Sequence, residues 1–269
     1  MKKTAVISLS GGMDSTSLLV HLLNKVKNDE YEYSDVHALS FNYGQKHSLE
    51  LERAQQNLEY LSQNGYNVYH KVIDLSNIMG LFNSALTSDD VDVPEGFYAE
   101  ENMKATVVPN RNAIFSSIVY GYALSIATVK DTEVDICLGV HSGDHAIYPD
   151  CRPEFYDAIS HAFTVGNWDS EKVEYYLPYM DGDKYTILKD AEKCIESLGL
   201  DFDTIFANTN TSYNPDEQGR ANGRTGSDVE RILAFHQLGR KDPVEYQESW
   251  EVVVENAVKL EREYEQNNS

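Results

Sequence analysis

Two glycines between a β-branched hexamer and an apolar-periodic segment mark where this chain can do chemistry. Residues 4–9 (T-A-V-I-S-L) are mainly apolar, which predicts a buried strand. It stops at Gly11 and Gly12, residues that permit a tight turn and close approach of the backbone to a ligand. Asp14, Ser15 and Thr16 then open a segment with Leu18, Leu19, Leu22, Leu23 and Val26 at helical spacing. A glycine turn leading into a helix N-terminus gathers free backbone N–H groups and the positive end of the helix dipole at one spot. The hydroxyls of Ser10, Ser15 and Thr16 can add donors. Leu9, Ser10, Gly11, Gly12, Met13, Asp14, Ser15 and Thr16 are therefore the candidate nucleotide phosphate site. The Walker A and Rossmann glycine patterns are both absent.

The elements that must position this turn alternate along the chain. Strands are expected over 4–9, 36–41, 67–73 and 134–140, the last buried on both faces. Helices are expected over 48–61, 112–127, 156–163, 185–198, 229–238 and 246–265. The segment 79–101 is looser and reads as an insert or lid. Such alternation predicts a doubly wound, mainly parallel α/β sheet, with ligands beyond the carboxyl ends of its strands. Residues 1–205 form the expected α/β domain and 206–269 a helical C-terminal region. Beyond the expected strand ends lie three polar blocks: N-Y-G-Q-K-H at 42–47, V-P-N-R-N at 108–112, and H-S-G-D-H-A-I-Y-P-D-C-R-P-E-F at 141–155. Any one block can be ordinary turn chemistry. Their common placement argues for a site.

The run S-G-G-M-D-S at 10–15, behind a strand, resembles the PP-loop of the N-type ATP pyrophosphatases, whose fold is the adenine nucleotide α-hydrolase type. Taken in order with the other three blocks, it resembles the 7-cyano-7-deazaguanine synthase family from about Thr4 to about Tyr246. That resemblance implies a ligase acting on 7-carboxy-7-deazaguanine, ammonia and ATP. Adenylation of the carboxylate releases pyrophosphate, ammonia displaces AMP to give the amide, and a second adenylation leads to the nitrile. The chemistry suits the residues: a carboxylate is a poor electrophile and needs an AMP leaving group. Charge on departing pyrophosphate calls for the helix N-terminus and Mg2+. Catalytic roles are expected for Asp14, Ser15, Lys46 and Arg111. Asp14 is either a metal or water ligand or a helix cap. Arg111 suits phosphate or carboxylate. Lys46 and His47 either contact phosphates or lie on the surface, and Lys184 is a weaker candidate. Asp144, Asp150 and Glu154 can read the donor edge of a guanine-like base, and Tyr148 and Phe155 can stack on it. Tyr43, Gln45 and Asn112 complete the expected substrate set. Arg152 either touches the substrate or holds Asp150 in place.

Two departures from the family pattern stand out. The four cysteines that hold its structural zinc fall here on Ser212, Asn222, Thr225 and Asp228. Hard oxygens make a very poor zinc site, so no zinc is expected. Tyr246, Trp250, Val253, Ala257, Leu260 and Tyr264 form one apolar stripe along the tail. It either docks on the chain's own body or serves a dimer or another protein partner; the resemblance implies a homodimer. Three activities stay open: the nitrile-forming ligase, an offshoot that adenylates the acid but stops at an amide on another amine, and a silent nucleotide- or base-binding partner.

Composition supplies the outer bounds. The chain has 269 residues, enough for a sizeable core, with 41% hydrophobic and 25% charged residues. Three widely spaced cysteines argue against a disulfide framework and for a reducing cytoplasm. A net charge of -22 repels nucleic acid phosphates, so no nucleic acid partner is expected. No membrane association is expected either, because no apolar run is read as reaching spanning length.

Overall fold

The computed structural model describes residues 2–28, 32–45, 49–82, 84, 86, 94–96, 101–212 and 215–268, apart from the side chains at 101–103, 144, 146 and 268. Much of the expected insert at 79–101, together with Lys46 and His47, lies outside the described residues. Five parallel strands form one sheet in the order β3-β2-β1-β4-β5, with β1 Lys3–Ser8, β2 Tyr33–Asn42, β3 Tyr69–Asp74, β4 Val134–Cys137 and β5 Val173–Tyr176. The order reverses between β1 and β4, and the crevice at that switch point is where such a sheet binds its ligand. β1 is central, and its Ala5, Val6 and Ile7 are wholly buried.

Nine helices are described: α1 Met13–Asn28, α2 Leu49–Gln63, α3 Ser76–Met79, α4 Arg111–Lys130, α5 Pro153–Gly166, α6 Lys184–Leu198, α7 Phe202–Ala207, α8 Gly226–Leu238 and α9 Trp250–Asn268. α1, α2, α6 and α8 cover one sheet face through a core that includes Leu19, Leu22, Leu58, Ile187, Leu188 and Phe235. α4 covers the other face with Val119, Tyr120, Ala123 and Ala127. The expectation of no spanning-length apolar run needs correction here. α4 is a 20-residue helix with a mean hydropathy of 1.4 over its most apolar window, long and apolar enough to cross a membrane. Its Ser, Gly and Tyr residues disguise that length in the sequence, and one face of it packs on the sheet.

β5 and α7 are elements that the periodicity did not predict. β5 is a four-residue edge strand, too short and too exposed for a pattern to register. The tail stripe docks on the chain's own body: Val253 and Ala257 are buried against Val229 and Ile232 of α8, with Tyr246, Trp250 and Leu260 packed around them.

The turn after β1 is fixed by one crowded contact. Gly11 has φ +90°, and a Cβ there would overlap the carbonyl oxygen of Glu50 in the first turn of α2. Gly65 has a similar φ of +88° with nothing within 4 Å. Gly65→Ala should therefore show the backbone cost alone, about 1 kcal/mol. Gly11→Ala should lose clearly more in urea unfolding, because the Glu50 backbone must move as well.

Candidate active site

The phosphate turn holds itself open. Ser10 Oγ accepts from the Gly12 N–H at 3.2 Å, and Ser15 Oγ accepts from the Ser10 N–H at 3.2 Å. The two hydroxyls lie 3.0 Å apart. They are spent on loop shape. The N–H groups of Met13, Asp14 and Ser15 have no backbone acceptor among the described residues and remain as the donors of the helix N-terminus. Gly11 O accepts from the Asn210 N–H at 3.0 Å, which brings the 208–212 loop against the turn.

A cavity of about 250 Å³ opens over this turn. Its walls include Ser10, Gly12, Met13, Asp14 and Ser15 from the turn, Tyr43 after β2, Glu50 on α2, and Arg111, Asn112 and Phe115 on α4. Tyr148, Cys151, Tyr156, Lys184, Asn210 and Thr211 also line it. Arg111 starts α4 directly after Asn110, whose left-handed φ of 62° suits an Asn at the helix entry. The guanidinium lies between two rings, 5.8 Å from Tyr43 and 5.9 Å from Tyr148. Phe115 stacks on Phe41 at 4.2 Å and meets Tyr43 at 5.7 Å, so one end of the chamber is aromatic.

The other end is ionic. Lys184 Nζ donates to Asp14 Oδ2 at 2.8 Å and lies 3.3 Å from His141 Nε2 and 3.7 Å from Glu230 Oε2. Lys184 is 8% exposed and His141 is fully buried. Burial pushes the Asp14 carboxyl up, but Lys184 and His141 together outweigh it and hold the group below the usual carboxylate range. Asp14 Oδ1 is buried without a hydrogen bond among the described residues.

Not every expected site residue lines the cavity. Leu9, Gly11 and Thr16 do not: Leu9 and Thr16 are buried in the fold behind the turn, and Gly11 faces α2. Gln45 shapes the loop after β2, its Oε1 accepting from the Tyr43 N–H at 2.9 Å. Asp150 lies beside the wall rather than on it, and its Oδ1 is buried with no partner among the described residues. Asn112 Nδ2 donates to the Asp150 carbonyl at 3.4 Å. Arg152 is exposed and donates to the His145 carbonyl at 2.7 Å, not to Asp150. Glu154 is exposed at the start of α5, away from the lining. Phe155 is also off the wall and packs edge-on against Tyr156, 5.2 Å away, which takes the aromatic position. The Asp144 side chain and Lys46 lie outside the described residues. Glu50, Asn210 and Thr211 carry no sequence signal that separates them from surface polar residues.

The loop that departs from the family pattern is held by oxygen chemistry. Ser212 Oγ donates to Asp228 Oδ2 at 3.1 Å, and Thr225 Oγ1 accepts from the Asp228 N–H at 3.3 Å. Asn222 turns elsewhere, its Nδ2 donating to Glu95 at 3.3 Å and its Oδ1 accepting from the Arg224 N–H at 2.8 Å. These residues do not fit zinc. Beside them Arg231 forms a two-pronged pair with Asp242 at 2.6 and 2.9 Å and donates to Thr209 and Thr211 at 2.7 and 3.0 Å.

Family comparison settles the kinship of this arrangement. Residues 4–239 match the family model described as "Queuosine biosynthesis protein QueC". The chain belongs to the QueC family. It is 43% identical to 7-cyano-7-deazaguanine synthase 1 of Colwellia psychrerythraea over 92% of this chain and 100% of that one. It is 44% identical to the 7-cyano-7-deazaguanine synthase of Hahella chejuensis over 90% of this chain and 93% of that one. Among solved structures, the U34-tRNA thiolase NcsA from Methanococcus maripaludis with its [4Fe-4S] cluster is a remote likeness. It shows 12% identity and a TM-score of 0.41, covering 97% of this chain and 72% of that chain.

The buried carboxyl of Asp228 gives this loop a pH signature. Burial raises it from its ordinary 3.8 to about 6, against the pull of Thr225 and Ser212. A carboxyl raised by folding stabilises the fold while protonated, and that contribution is lost as pH rises through the folded value. Asp228→Asn should therefore unfold later than wild type at pH 7.5, by on the order of 2–3 kcal/mol. The gain should vanish near pH 4, as read from urea unfolding at the two pH values.

Proposed function

We propose that this chain converts 7-carboxy-7-deazaguanine and ammonia to 7-cyano-7-deazaguanine in the cytoplasm, splitting ATP to AMP and pyrophosphate at each of two adenylations. One observation carries the reading: a single cavity joins an open helix N-terminus at Met13–Ser15 to an aromatic chamber walled by Tyr43, Phe115, Tyr148 and Tyr156. The first end suits the phosphates of ATP and the second a flat, apolar-faced base.

The mechanism follows from the placement. Free N–H groups at α1 and the Lys184 cation stabilise charge that grows on departing pyrophosphate. Asp14 holds Lys184 at the turn through their 2.8 Å contact. Mg2+ fits Asp14, whose Oδ1 is buried and accepts no hydrogen bond among the described residues; bound there with ATP, the ion would neutralise phosphate charge. Arg111, beside Tyr43 and Tyr148, suits the substrate carboxylate held against the α-phosphate. Asp150, next to the wall residue Cys151, has an oxygen without a partner among the described residues and would turn it to a donor on the base.

Protein incubated with the acid, Mg-ATP and ammonium should release AMP and pyrophosphate, with the nitrile seen by mass spectrometry. ADP and inorganic phosphate would overturn the mechanism, and an amide as the final product would mean the second adenylation does not occur. Asp150→Ala should raise KM for the acid about 5- to 150-fold, as expected for a lost buried hydrogen bond of about 1–3 kcal/mol. KM for ATP should stay near wild type. Equal losses for both ligands would indicate collapse of the 141–155 loop.

A further inference from the structure

Making a nitrile from an acid sheds protons inside the cavity, and some group there must take them. When ammonia attacks the acyl adenylate, a C–N bond forms and the carbonyl π pair moves to oxygen. The adduct must lose an N–H proton before the pair returns and the C–O bond to AMP breaks. In the second half, the amide oxygen bonds to the α-phosphorus of ATP and pyrophosphate leaves. The nitrogen then gives up both remaining protons, and the C–O electrons depart with AMP as the third C–N bond closes.

Among the described residues two carboxylates wall the cavity, Asp14 and Glu50. Asp14 is committed to its ion pair with Lys184. Glu50 comes from another element, the first turn of α2, and is half-buried. Its position is not left to a flexible helix end, because its own carbonyl packs on Gly11 of the phosphate turn. We propose that Glu50 is the general base of both halves of the reaction, accepting N–H protons from the ammonia adduct and then from the adenylated amide. This role rests on the function argued above.

The electrostatics agree with the geometry. Burial raises the Glu50 carboxyl to about 7, with Arg111 of α4 pulling the other way. Among the described residues the other titratable groups facing it are Tyr43, pushed up to about 12 chiefly by burial, and Tyr148 across Arg111. A carboxyl near 7 accepts a proton from a cationic nitrogen and returns it to water at neutral pH, which suits a base that must act repeatedly.

The first half-reaction, attack of a carboxylate on ATP, needs no base and separates this role from simple positioning. With Glu50→Gln, amide and nitrile formation should fall about 10²- to 10⁴-fold. Acid-dependent exchange of labelled pyrophosphate into ATP should stay near wild type. Glu50→Asp, which keeps the carboxylate, should retain part of the rate. With the free ammonia concentration held constant, wild-type turnover should decline as pH drops below about 7, and this limb should be absent in Glu50→Gln. A Glu50→Gln enzyme with the wild-type rate, or one that loses exchange and amidation equally, overturns the role. If Glu50→Gln does not fold, a wild-type profile flat through pH 7 overturns it instead. Wild type that makes neither amide nor nitrile refutes the function and this role together. Wild type that makes nitrile beside an unimpaired Glu50→Gln refutes the role of Glu50 alone.

Discussion

The site depends on how closely the phosphate turn approaches the backbone of α2. Gly11, at φ +90°, sits so near the Glu50 carbonyl that no side chain fits between them. That contact sets the path of the chain from β1 into α1 and so decides where the free N–H groups point. The same contact brings α2, and with it Glu50, to the rim of the turn. The open helix N-terminus and a carboxylate of the cavity are thus placed by one steric condition. A second hydrogen bond, from the Asn210 N–H to Gly11 O, pins the turn from the far side.

A buried ion pair braces the C-terminal loop beside the positions where the family has thiolates. Arg231 and Asp242 are 2% and 1% exposed, and burying such charges is costly unless every polar atom is met. Here the guanidinium reaches Asp242 on two prongs, two threonine hydroxyls, and the Phe206 carbonyl. Tyr246 adds its hydroxyl to Asp242 at 2.7 Å. Such a network is directional. It fixes the 208–212 loop that supplies Asn210 and Thr211 to the cavity.

Much of this was legible in the sequence because the chemistry is local. A glycine turn behind a strand, and polar blocks beyond strand ends, are contiguous patterns that reveal both the parallel fold and the approximate site. What could not be read is what depends on distant partners. Glu50 is one of several acidic residues on α2, and nothing nearby distinguishes it from Glu52. Lys184 gains its meaning from Asp14, 170 residues away. Within the 141–155 block the residue types pointed to the right region but not to the direction of each side chain. Two positions along α5, about 200° around the helix, separate walls such as Tyr156 from exposed neighbours such as Glu154. β5 escaped because an edge strand of V-E-Y-Y, half exposed, has no strong period.

The Arg231–Asp242 pair also bears on the order in which the protein can mature during synthesis. The glycine turn is made long before the strut behind it, Asn210, which belongs to a loop clamped by Arg231. Arg231 in turn needs Asp242 and Tyr246, which follow it in the chain. A nascent chain can fold its sheet early, but the wall behind the turn is not clamped until residues 242 and 246 have emerged. A ribosome that stops before residue 242 therefore releases a chain with its glycine turn in place and the wall behind it unclamped.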